Sequence, residues 1–128
     1  MQTNSSMKKR PNVGEYTDFE PKDGYFACKG CGNPLYSYAA KFHSGCGWPA
    51  FDKCYKDAIE THVDSTLGMR RVEIVCAKCK GHQGHVFEGE RFTSTNERHC
   101  VNSLSVKFVP GKAPDMPEET VARKAAGM

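Results

Sequence analysis

Polar and apolar positions alternate most legibly in the last third of the chain. Read with a period of two, the stretch Glu97-Arg98-His99-Cys100-Val101-Asn102-Ser103-Leu104-Ser105-Val106-Lys107-Phe108 puts Arg98, Cys100 and Asn102 on one face, which continues through Leu104, Val106 and Phe108. The pattern predicts a strand from Cys100 to Val109 whose core-forming face begins with polar side chains, as at a site on the edge of a core. Arg71, Glu73 and Val75 alternate with Val72, Ile74 and Cys76, which predicts a strand over Arg70–Cys76 with one polar-leaning face. Tyr25–Cys28 and His85–Phe87 are shorter strand candidates, divided from their neighbours by glycine and proline. Helical signal is thin. Phe51–Ala58 would make two turns after Pro49, and Pro117–Ala126 would make a frayed helix capped by Asp115, with Glu118 and Glu119 at its start and Arg123 and Lys124 at its end. The predicted class is therefore mainly β, antiparallel, with short peripheral helices.

At 128 residues the chain fits one domain with a modest core. Residues 1–20 read as a mobile lead-in, 21–110 as the folded body and 111–128 as a tail. The formal charge of +3 comes from Lys8, Lys9 and Arg10, and the remaining basic and acidic residues balance at fifteen each. A neutral body argues against a nucleic-acid partner, whose footprint is a basic patch. The start is polar and basic with no apolar centre, so it reads as a solvated tail; an organellar address is the weaker alternative. No run approaches the roughly 18 apolar residues of a membrane span. The expected setting is reducing and cytoplasmic, and the expected state a monomer.

In such a setting seven cysteines need a reason other than disulfide staples. Cys28 and Cys31 form one C-x-x-C turn, Cys76 and Cys79 another, and each has glycine within two residues of its second cysteine. Four thiolates make a closed tetrahedral Zn²⁺ site, so one structural zinc per chain is expected, joining two hairpins across a long loop. The competing reading, two redox C-x-x-C pairs, lacks the βαβ setting such pairs occupy. Cys46, Cys54 and Cys100 remain as thiols. Free cysteine is only a few per cent thiolate at neutral pH, and a neighbouring cation such as Arg98 favours the nucleophilic form.

Two further segments complete a pattern. Ser44-Gly45-Cys46-Gly47-Trp48-Pro49-Ala50-Phe51 holds the single tryptophan, and Gly81-His82-Gln83-Gly84-His85-Val86-Phe87 sets two histidines three apart behind the second C-x-x-C. With Arg98-His99-Cys100-Val101-Asn102-Ser103, and in this order over Gly24–Val109, they closely resemble the methionine-R-sulfoxide reductases of the B type. The resemblance implies a β fold of two antiparallel sheets, a zinc distant from the reaction, and reduction of methionine-R-sulfoxide in proteins and as the free amino acid. It implies that Cys100 is the catalytic thiol, that Trp48 packs on the substrate's methyl group, and that His82, His85, Arg98 and Asn102 line the polar side. Cys46 stands where many members carry a resolving cysteine, with Cys54 as its competitor, and thioredoxin is the implied reductant. The chemistry suits these residue types. A sulfoxide oxygen leaves only once protonated, which asks for an imidazole near neutral pH, and a sulfenic acid on Cys100 is protected by a second thiol. The family often has tyrosine where this chain has His99. The alternative function is a zinc-stabilised binding module of related fold without reductase activity.

Overall fold

The computed structural model describes residue 16 and residues 19–45, 48–64, 71–89 and 93–121. Among the described residues eleven strands run in the order β1 (Tyr25–Cys28), β2 (Pro34–Ser37), β3 (Lys41–Phe42), β4 (Ala50–Phe51), β5 (Cys54–Tyr55), β6 (Ile59–Asp64), β7 (Arg71–Cys76), β8 (His82–Glu88), β9 (Glu97–Val101), β10 (Val106–Val109) and β11 (Glu118–Glu119). They form two principal antiparallel sheets, β10-β1-β2 and β3-β4-β9-β8-β7-β6, and a small ribbon of β11 with β5. Helical structure among the described residues is confined to 3-10 turns at Tyr38–Ala40 and Ser103–Ser105.

The mainly β class is thus found, with three corrections in detail. Cys100–Val109 is not one strand: the 3-10 turn at Ser103–Ser105 ends β9 and sends β10 into the other sheet, because the side chain of Asn102 accepts the Leu104 amide at 2.9 Å and caps the turn. Phe51–Ala58 is not helical. Phe51 and Cys54-Tyr55 are buried strand residues, and burial on two sheets outweighs a weak local preference. Glu118 and Glu119 form a strand against Tyr55 and Cys54, held by the Ser37 hydroxyl donating to Glu118 at 2.7 Å and by the Asp57 amide donating to Glu119 at 2.9 Å. The rest of the predicted tail helix, from Ala122, lies outside the described residues.

The core lies between the two principal sheets. Tyr36 of β2 stacks on Phe51 of β4 with ring centroids 4.2 Å apart, and Phe26 of β1 meets Phe51 edge-on at 5.0 Å. The inner face of the six-stranded sheet carries Phe51, His99, Val86 and Val72 at matching register. Along β9 burial alternates in the opposite sense to the one expected: Glu97, His99 and Val101 face this core, while Arg98 and Cys100, expected on the core-forming face, face outward and are half-buried, because the 3-10 turn separates β9 from the apolar run of β10. Tyr16 and Phe19 pack on the core beside Phe26 and Phe108.

His99 brings a charge-capable ring into an otherwise apolar layer, and the fold supplies its partners. Tyr36 Oη is 2.9 Å from Nδ1, and Glu97 Oε1 is 2.9 Å from Nε2. The same Glu97 oxygen accepts the amide of Val121 at 3.1 Å, which anchors the segment beyond β11. Burial pushes the Tyr36 phenol well above its ordinary pKa, so it is a hydroxyl throughout the physiological range.

Candidate functional site

The outer face of the six-stranded sheet collects the chemistry. Register places Phe42, Ala50, Cys100, His85, Glu73 and His62 in one row across β3, β4, β9, β8, β7 and β6. Cys100 lies between Ala50, whose methyl leaves room on one side, and His85 on the other. Two pairs further along, Arg98 lies opposite Phe87, with its guanidinium carbon 4.4 Å from the ring centroid. Trp48 is half-buried on the chain leading into β4, two residues before Cys100's partner Ala50.

Three residues apart in a regular strand, His82 and His85 would point to opposite faces. They do not, because β8 carries a bulge: Ile74 pairs Gly84 and Val75 pairs His82, leaving Gln83 as the extra residue. The two rings meet edge-on with centroids 5.7 Å apart. The bulge residue turns inward and is buried, its amide nitrogen 3.6 Å from Cys28 Sγ and 3.4 Å from the Gly81 carbonyl. Beside it, Gly84 permits close approach of β9, since a Cβ there would lie 1.9 Å from the Cys100 carbonyl oxygen. Gly84 and Gln83 therefore set where Cys100 and the histidines stand. Neither drew notice as a site residue in the sequence, although a glycine inside a strand pattern is a signal of close backbone approach.

Asn102 differs from the even-parity reading. It is buried, its Oδ1 is engaged by Leu104, and its amide donates to the Gln83 carbonyl at 2.9 Å. It still lines, with His82, a cavity of about 560 Å³ that continues to Gly30, Gly81 and Leu104; Cys100 and Trp48 do not line it. Cys46 lies outside the described residues. Cys54 is fully buried on the core side, its thiol 3.6 Å from the Glu119 carbonyl. It is thus among the inner side chains, whereas Cys100 faces outward.

The four paired cysteines come together as their spacing predicts. The β1–β2 turn brings Cys28 and Cys31, the β7–β8 turn brings Cys76 and Cys79, and all four sulfurs lie within 4.8 Å of one another. Cys28–Cys79 and Cys31–Cys76 are each 3.6 Å apart. A tetrahedron of sulfurs about 2.3 Å from a central zinc has edges of about 3.8 Å, so the donor set and its size fit that ion. The turns match each other: the Gly32 amide returns to the Cys28 carbonyl and the Lys80 amide to the Cys76 carbonyl, both at 2.8 Å. The left-handed residue is Gly32 in one, at φ 81°, and Lys80 in the other, at φ 66°. Gly81, which the sequence pointed to, instead donates its amide to Cys79 Sγ at 3.4 Å. Burial pushes the Cys28 thiol up to about 12. At Cys76 burial pushes the thiol up, but the backbone amides of Cys79 and Lys78 together with hydrogen bonds from the Cys31 and Cys79 thiols outweigh it and bring it down to about 7. As thiolates the four would need a cation among them, and their sulfurs could hold one.

Glu73 was read in the sequence only as part of a polar-leaning face. It pairs in register with His85 and bonds Nδ1 of His82 through Oε2. Among the described residues no helix is long and apolar enough to cross a membrane.

With this geometry in place, known proteins supply the comparison. The SelR domain family matches residues 2–110. Peptide methionine sulfoxide reductase B5 of Oryza sativa subsp. japonica is 56% identical over 101 residues, covering 78% of this chain and 72% of its own. Peptide methionine sulfoxide reductase B3 of Arabidopsis thaliana is 54% identical over 101 residues, covering 78% of this chain and 56% of its own. Peptide methionine sulfoxide reductase MsrB of Chromohalobacter salexigens is 42% identical over 111 residues, covering 86% of this chain and 83% of its own.

Proposed function

Because the chain belongs to the SelR domain family, that of the B-type peptide methionine sulfoxide reductases, we propose that it reduces methionine-R-sulfoxide, protein-bound and free, through Cys100. The observation that carries this reading is the placement of Cys100 on the outer face of β9, paired in register with His85 and two residues from Arg98. Arg98 favours the thiolate, which attacks the sulfoxide sulfur, while His82 or His85 protonates the oxygen. The oxygen leaves with the Cys100 sulfur as a sulfenic acid. Methionine sulfur has gained two electrons and Cys100 has lost them. Trp48 supplies an apolar wall for the S-methyl group, and Asn102 a polar one.

The Cys46 thiol then displaces water from the sulfenic acid to give a Cys46–Cys100 disulfide. A thioredoxin dithiol reduces it by exchange, becoming a disulfide itself. Support for Cys46 over Cys54 comes from burial: Cys54 lies among the core side chains, and meeting Cys100 would require unpacking them. Cys28, Cys31, Cys76 and Cys79 would hold zinc, which in a closed thiolate shell supplies structural cross-linking and no reaction step. The lead-in of residues 1–20, the catalytic domain of 21–110 and the tail of 111–128 are the proposed divisions of a cytoplasmic monomer.

An assay on separated diastereomers tests the reading. Reduction of the R form and not the S form is expected, with Cys100→Ser inactive. Cys46→Ser should keep single-turnover reduction and lose thioredoxin-supported cycling, and Cys54→Ser should keep both. Turnover by Cys100→Ser, or S-selective turnover by the wild type, overturns it.

A further inference from the structure

Each turn of the four-cysteine cluster serves the other with a side-chain amide. Gln83, four residues beyond Cys79, places Nε2 3.6 Å from Cys28 Sγ of the first turn. Asn33, two residues beyond Cys31, places Nδ2 3.8 Å from Cys76 Sγ of the second. Cys28 and Cys76 are the buried pair of the four, whereas Cys31 is half-buried and Cys79 exposed. The side-chain donors thus go to the sulfurs that solvent reaches least.

The orientation of Gln83 follows from its second partner. Nε2 also donates to the Gly81 carbonyl at 3.4 Å, and a carbonyl only accepts, so the nitrogen faces this side and Cys28 Sγ receives a hydrogen. The opposite end of the carboxamide gains nothing: Oε1 is buried with no partner among the described residues. An orphan buried acceptor weakens a fold, so packing alone does not account for a glutamine here. The bulge turns this side chain inward, and the Gln83 carbonyl, which accepts the Asn102 amide at 2.9 Å, fixes the backbone that carries it.

We propose that Gln83 and Asn33 are outer donors that retain the metal ion at the cluster, Gln83 contributing the more. Four thiolates around a divalent cation leave two negative charges uncompensated, and buried sulfurs cannot share them with solvent. An N–H aimed at such a sulfur stabilises its charge and opposes the protonation by which a thiolate leaves a metal. Gln83 contributes more because its bond is the shorter and its side chain is buried, while Asn33 is half-buried. The two bonds run in opposite senses, so each turn holds the other across the ion. The proposal rests on the reading that Cys28, Cys31, Cys76 and Cys79 hold zinc, and it adds no step to the reaction.

The test follows zinc transfer from the loaded full chain to an excess of a chromogenic chelator, and the sulfur-to-metal charge-transfer band after exchange for Co²⁺. Gln83→Met keeps the side chain's length and removes both amide atoms. It should release zinc at least about tenfold faster, within the 10–100-fold that outer donors contribute to metal affinity. Its charge-transfer band should move to lower energy, because a sulfur relieved of its hydrogen bond gives up charge more readily. Asn33→Ala should move both readouts in the same direction and by less. In excess zinc the Tm of Gln83→Met should stay within about 4 °C of the wild type. An unchanged release rate, an unmoved band, or faster release that comes only with a larger fall in Tm overturns the proposal. Should Gln83→Met fail to fold, Asn33→Ala decides it by the same readouts. A wild type that binds no stoichiometric metal would instead overturn the zinc reading.

Discussion

The molecule uses cysteine in two regions built on different terms. At the four-cysteine cluster the thiols face one another: two turns from two sheets converge, sulfurs approach to 3.6 Å, and the set offers four ligands to one ion. At the outer face of β9 a single thiol stands beside an imidazole, a small methyl and, two residues along the strand, a guanidinium. On the proposed function the first arrangement is closed and gives rigidity, and the second is open and gives reactivity. They are joined by Gln83, whose side chain reaches Cys28 and whose bulge turns His82 and His85 to the same side.

The comparison predicts that the two regions fail differently. Cys100→Ser should lower turnover of the R-sulfoxide by at least about 10³-fold, while metal content and the thermal transition stay as in the wild type. Loss of stability in parallel with activity would show that the open site is also structural. Removing metal with a chelator, or Cys76→Ser, should do the reverse: a fall in Tm of more than about 10 °C, with activity lost only as the fold loosens. An unmoved Tm would remove the structural role of the cluster.

Two substitutions probe the join and the layer beneath. Gly84→Ala forces a Cβ against the Cys100 carbonyl at 1.9 Å, so β8 and β9 must part. A loss of about 2–4 kcal/mol by urea unfolding, with reduced turnover, is expected. Glu97→Ala leaves the buried His99 Nε2 and Val121 amide without their shared acceptor, which should cost about 2–3 kcal/mol and loosen the segment around Val121. Hydrogen exchange at Val121 checks it directly. The smallest effect should come from Cys54→Ala, about 1 kcal/mol from a small buried void with thioredoxin-supported turnover unchanged. A large drop in cycling would transfer the resolving role from Cys46 to Cys54.

His99 illustrates how far parity reasoning reaches. Alternation put it opposite Cys100, and it lies there, but nothing local revealed that Tyr36, 63 residues earlier, and Glu97 would satisfy its ring. The helix expected over Phe51–Ala58, and the start of the one expected over Pro117–Ala126, gave way for a similar reason. Short segments with weak apolar periodicity take the structure that long-range partners offer, here β5 against β11.

By itself the sequence determined the grouping of the four paired cysteines, the shared face of Arg98 and Cys100 along β9, the mainly β class and the family, while which face of β9 meets the core was decided by the sheet packing. Each follows from spacing or alternation within a short stretch, where chain geometry leaves little freedom. Only the tertiary structure decided that His82 and His85 share a face, that Asn102 ends a strand instead of continuing it, that Cys54 faces the core and that Glu73 reaches His82. These depend on a one-residue bulge and on pairing register between distant strands. A single inserted residue reverses the side-chain parity that local alternation would assign.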